Sequence, residues 1–198
     1  MTLLRETPTR PRPAQRVTDV LEPRTWIIAV TLLIGWHADG VTGVGWGLFA
    51  AFFCGVVPML WIKWGQRRGY WGDRHVRRRQ DRLIVLPGVI ASVILCVTAM
   101  AVFEAPSEMN ALVLAMLSTL AAILAVTTVW KISVHTAVSG GAALMSALAY
   151  GPWPLAALVL VAAVGWSRVR LKDHTLAQAV AGVGLGMLVA GPVFVWLR

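Results

Sequence analysis

An all-α fold, a polytopic transmembrane helical bundle of six or seven apolar segments, is what this sequence predicts, and three observations predict it. The 198 residues are 58% hydrophobic with a mean hydropathy of +0.70, against roughly 45 to 50% apolar residues in an ordinary soluble domain. Apolar runs recur along nearly the whole chain, many of them close to the roughly 17 to 25 residues that cross a bilayer. The cations gather in the connections between these runs, and in alternate connections at that.

Residues 1–24, MTLLRETPTRPRPAQRVTDVLEPR, form a basic, proline-rich N-terminal tail. The stretch lacks the apolar core and small-residue cleavage site of a secretory signal, and its composition is that of a mobile segment. Residues 25–198 read as a single integral membrane domain. Its apolar segments run from Trp26 to Ala38, Val41 to Trp64, Leu83 to Phe103, Met109 to Trp130, Thr136 to Tyr150, Trp153 to Trp166 and Leu176 to Trp196. The first, fifth and sixth are short for a full span, which is why six crossings compete with seven. Trp26, Trp64, Trp130, Trp153, Trp166 and Trp196 flank the segments as interfacial anchors. Cys54 and Cys96 fall inside apolar segments and read as small hydrophobes. Gly182, Gly184 and Gly186 give the last segment a small-residue face on which a second helix can pack closely.

If each segment crosses once, the tail, the Gly65–Arg82 loop, the Lys131 junction and the Ser167–Lys172 stretch share one side. All of the 18 Lys and Arg residues except Arg198 then lie on that side. The positive-inside rule makes it cytoplasmic, with the C-terminus outside and the protein a multi-pass component of the cell membrane. Topology and a phosphate site account for the pI near 11, so nucleic acid is not an expected partner.

Three polar clusters land on this basic side: GDRHVRRRQDRL from Gly72 to Leu83, WKISVHTAVSGG from Trp130 to Gly141, and WSRVRLKDHTLAQ from Trp166 to Gln178. Together they offer Arg82, Lys131 and Arg168 as cations, Ser133 as a hydroxyl donor, and His135 and His174 as imidazoles. Guanidinium groups bind phosphate bidentately. Two histidines can divide a phosphoryl transfer, one attacking phosphorus and the other protonating the departing oxygen. A basic loop beside a membrane also serves as a topology signal or binds anionic lipid.

Arg168, five intervening residues, then His174 resembles the last signature of the type 2 phosphatidic acid phosphatase superfamily. Ser133-Val134-His135 resembles its middle Ser-Gly-His signature, and the first cluster a weakened Lys, six residues, Arg-Pro. The likeness is to small actinobacterial membrane members and extends from Val17 to the C-terminus. It implies that His174 is the nucleophile, forming a phosphohistidine, and that His135 is the general acid. It further implies that Arg82, Ser133 and Arg168 bind phosphate, joined through position by Lys131 and, where the signature has Lys, by His75. Leu83 replaces the signature proline. Gln178 replaces an aspartate that would orient and charge-stabilise the nucleophilic imidazole; at i+4 on a helix it can still orient the ring through Nδ1.

The expected activity is therefore hydrolysis of a lipid phosphate or isoprenyl diphosphate at the cytoplasmic membrane surface, with no metal and no cofactor. Two alternatives share the same residues. One is a membrane terpene cyclase that ionises an allylic diphosphate in a tryptophan-lined cavity. The other is a non-catalytic binder of anionic membrane lipids.

Overall fold

A computed structural model describes residues 12–71 and 79–198. These residues build helices and connecting turns, with no strand among them. The helices are α1 (Arg12–Val20), α2 (Pro23–Ala51), α3 (Val57–Arg67), α4 (Arg79–Val102), α5 (Ser107–Val129), α6 (Val134–Tyr150), α7 (Leu158–Arg170) and α8 (Leu176–Leu197). Five helical stretches are long and apolar enough to cross a membrane, as in a multi-pass protein. The first of them, Arg12–Arg67, contains two antiparallel arms.

The reversal lies within α2. Asp39 and Gly40 leave helical geometry, and Gly40 takes φ 50°, ψ −126°, a conformation that needs glycine. The arms that meet there touch backbone to backbone: a Cβ on Gly43 would strike the carbonyl of Gly35, and one on Gly47 the carbonyl of Thr31. The second arm continues into α3 through a widened turn at Phe52–Val56. Pro58 explains the widening, since its ring cannot sit against the carbonyl four residues back. The amide of Val57 donates to the Phe52 carbonyl instead. Because Pro58 has no N–H, the Phe53 carbonyl needs another donor, and Ser92 of α4 supplies one at 2.6 Å.

α6 is the hub. Short for a span at 17 residues, it buries Thr136, Ala137, Ser139, Gly140, Gly141, Ala142 and Ala143 among α2, α5, α7 and α8. Small side chains are what allow contact on so many sides. Gly182 and Gly186 of α8 lie flush on α6, where a Cβ would strike Thr136 and the Ala137 carbonyl respectively. Gly184 faces open space and takes no part in that contact. Cys54 and Cys96 are free, buried thiols in the main apolar cluster.

Polar contacts mark the two ends of the bundle. At one end His37, closing the first arm, pairs with Glu108 at the start of α5 at 2.7 Å. There too Tyr150, ending α6, donates to the Leu33 carbonyl, and Arg198, ending α8, donates to the Leu148 carbonyl. The described residues of the clusters singled out from the sequence occupy the other end.

The segment whose composition suggests a mobile tail is, in its described part, a packed helix: α1 lies along α7, with Ala14 and Thr18 fully buried. Ser167 donates to the Val164 carbonyl at 2.7 Å, so Thr18 donates to Ser167, at 3.0 Å. Proline and arginine content disguised a short amphipathic helix.

Candidate phosphate site at the basic end

The connection between α7 and α8 carries the nucleophile candidate, and α7 fixes its shape. Lys172 takes φ 57°, its amide donates to the Val169 carbonyl, and the Asp173 amide donates to the Arg168 carbonyl. That pair of bonds is the Schellman helix ending. The His174 amide shares the Arg168 carbonyl at 3.2 Å. Arg168 also reaches the Asp173 carboxylate at 3.0 Å, and both side chains are almost wholly buried. Its backbone and guanidinium thus hold the turn that presents His174.

α8 begins at Thr175 with a reciprocal cap. The Gln178 amide N–H donates to Thr175 Oγ1, while Gln178 Oε1 accepts from the Thr175 amide at 3.1 Å. The sequence signal was there, a Thr followed three residues later by a Gln before an apolar run, and the motif reading passed over it. The cap fixes the side-chain amide with its oxygen inward, and the same oxygen lies 3.3 Å from His174 Nδ1. An oxygen can only accept, so Nδ1 carries the imidazole proton and Nε2 the lone pair. Nε2 faces Arg82 Nη2 at 3.4 Å.

Arg82 comes from the first turn of α4 and is 4% exposed. Its Nη1 donates to the Ile132 carbonyl at 2.6 Å, tying α4 to the extended stretch before α6. Lys131, in that stretch, donates to the Asp173 carbonyl at 2.7 Å. Ser133 caps α6 by accepting from the Thr136 amide at 3.4 Å, which leaves its hydroxyl proton to donate elsewhere. His135 follows in the first helical turn, buried like Arg82. Three helices, α4, α6 and α8, therefore begin at this site, and their first-turn amides and positive dipole ends favour an anion.

Burial and then the cations Arg82, Lys131 and Arg168 push the His174 imidazole down to about 3. Burial, followed by Arg82, also lowers Lys131 from its ordinary value. The site thus presents a neutral imidazole among cations.

The structure gathers Arg82, Lys131, Ser133, His135, Arg168, His174 and Gln178 at one end of the bundle, from stretches far apart in sequence. His75 lies outside the described residues. Asp173, next to His174 in the chain, pairs with Arg168. Among the described residues no cluster of three or more His, Cys, Asp or Glu side chains is placed to hold a metal ion.

Arg82 and His135 also line a cavity of about 270 Å³ that runs into the bundle between α2, α3, α4, α5 and α6. Glu22, Arg24 and Lys63 line it as well, and the rest of its walls are largely aliphatic, including Ile27, Val85, Val89, Leu120, Val138 and Met145. No Trp, Tyr or Phe is among the described residues that line it, so the tryptophan-lined cavity of the cyclase alternative is not what these residues form. The tryptophans lie elsewhere, with Trp64, Trp130, Trp153, Trp166 and Trp196 on the outer surface.

Compared with known proteins, the chain matches no family model, no curated protein and no solved structure.

Proposed function

We propose that this chain is a metal-independent membrane phosphatase, resembling the type 2 phosphatidic acid phosphatases, that hydrolyses a lipid phosphate or isoprenyl diphosphate. One observation carries the reading. His174 has its Nδ1 proton held by Gln178 and its Nε2 lone pair turned to Arg82, and Arg82 in turn lines, with His135, a largely apolar cavity.

In the reaction a phosphate oxygen takes the place of Nε2 as the acceptor of Arg82, leaving the lone pair free to meet phosphorus. His174 Nε2 forms the N–P bond as the bond from phosphorus to the lipid oxygen breaks, and His135 gives that oxygen its proton. A water molecule then loses a proton to His135 and attacks phosphorus. The N–P bond breaks, inorganic phosphate leaves, and both imidazoles return to their first state. Arg82, Lys131 and the amides of three helix N-termini stabilise the charge on the equatorial oxygens.

Positive charge at this end of the bundle favours a cytoplasmic orientation, and with it substrates made inside the cell. The aliphatic lining supports hydrolysis over cyclisation, because no aromatic face is present there to stabilise a carbocation.

Purified protein given farnesyl diphosphate and a chelator tests this by mass spectrometry of the products. Farnesyl monophosphate or farnesol is expected, and with His174→Ala neither. A cyclised hydrocarbon would move the protein to the cyclase class. Retained lipid binding with no turnover of any lipid phosphate would make it a binder.

A further inference from the structure

The cavity beneath Arg82 and His135 has a definite depth. Its lining on α4 runs from Arg82 to Val93, and on α6 from Val134 to Met145. At about 1.5 Å per residue each is a depth of about 16 Å. An extended hydrocarbon chain, with bonds of about 1.52 Å at about 111°, advances about 1.25 Å per bond, so about twelve bonds fill the slot.

Volume gives a similar answer. An apolar cavity of about 150 Å³ accepts benzene, or about 25 Å³ per carbon, so 270 Å³ takes about eleven. Two acyl chains of a glycerolipid do not fit such a space.

A second apolar pocket of about 170 Å³ lies on the far side of one wall, lined by Trp26, Leu33, Tyr150 and Trp153 among others. Among the described residues, Val30 and Ala142 alone line both spaces, each almost fully buried. They are the partition. Removing it would add room for about seven carbons at the same packing.

We propose that the site takes lipids with a single prenyl or alkyl chain of about twelve to fifteen carbons on a terminal phosphate, and that Val30 and Ala142 set the upper limit. The headgroup assignment rests on the phosphatase reading; the chain limit rests on the cavity alone.

Binding separates the two. Full-length His174→Ala protein in bilayer discs would be loaded with radiolabelled farnesyl phosphate and challenged with geranyl, geranylgeranyl and dodecyl phosphates and dioleoyl phosphatidic acid. Dodecyl phosphate should compete within about threefold of farnesyl phosphate, and the other three at least about tenfold less well, since each unburied methylene forfeits affinity. Adding Val30→Ala should bring the geranylgeranyl compound to within about threefold of farnesyl. Adding Ala142→Leu should weaken farnesyl by at least about tenfold and leave geranyl unchanged; if that variant does not fold, Val30→Ala still decides. Phosphatidic acid competing as well as farnesyl phosphate, or a rank order indifferent to Val30→Ala, would overturn the proposal. The expected rank order in a protein whose wild type hydrolyses none of these phosphates would keep the chain slot and remove the phosphatase.

Discussion

In the proposed reaction His174 is the nucleophile, and the residues around it make separate predictions. Gln178 does two things with one oxygen, closing the cap of α8 and holding the imidazole proton. Shortening it to Asp withdraws that oxygen from both partners, so Gln178→Asp should lower kcat by about tenfold to a hundredfold, whereas Gln178→Glu keeps the reach and should retain most activity. Equal activity of wild type and Gln178→Asp would show that the cap does not position the ring. The imidazole is held near 3 by burial first and by Arg82 second. Its unfolded value is about 6.5, so between those pH values the folded state binds fewer protons and loses stability as pH falls. Arg82→Gln removes a cation from the ring and should move the acid limb of kcat/KM upward relative to wild type on the same substrate, whose own ionisation cancels in the comparison. An acid limb that stays in place would separate Arg82 from His174. The pairing of His174 with Gln178 was expected from i and i+4 sharing a helix face; the two do meet, but His174 precedes the N-cap Thr175, and it is the cap that brings Gln178 to the ring. The pairing of Arg168 with Asp173 was not, because it depends on how the turn at Lys172 folds back.

At the scale of elements, the site depends on α6 and α8 lying close enough for their first turns to meet. Gly186 and Gly184 make a matched pair for testing this. Gly186→Val pushes a side chain into the Ala137 backbone and should cost about 1–3 kcal/mol, with a lower Tm and reduced activity. Gly184→Ala meets open space and should be neutral or stabilising by up to about 1 kcal/mol, as alanine is the better helix former. Thermal unfolding of both in one lipid system checks the contrast, and equal Tm values would contradict the packing described. All three glycines fitted the small-residue pattern in the sequence, but only the fold shows which of them face α6. Segment positions were legible in the same way, since apolar runs mark helices wherever they occur. The docking of α1 and the widened turn before Pro58 were not, since each depends on what a neighbouring helix offers.

For the molecule as a whole, alternating arms bring the described residues of three distant clusters to one end and open a largely aliphatic slot beside them. Convergence could be reasoned from the alternation of apolar and basic stretches. The aliphatic lining could not, because a count of ten tryptophans does not say which way they face. A reporter fused after Arg198 should read as extracytoplasmic, and a cytoplasmic signal would contradict an odd number of crossings with the basic end inside. Passage of phosphorus through His174 can be caught by trapping. Farnesyl phosphate labelled at phosphorus would be mixed with protein in the presence of a chelator, quenched in alkali and digested. An acid-labile phosphohistidine is expected in the peptide that contains His174, absent from His174→Ala. Released phosphate with no label on the protein, or label on any other residue, would contradict it.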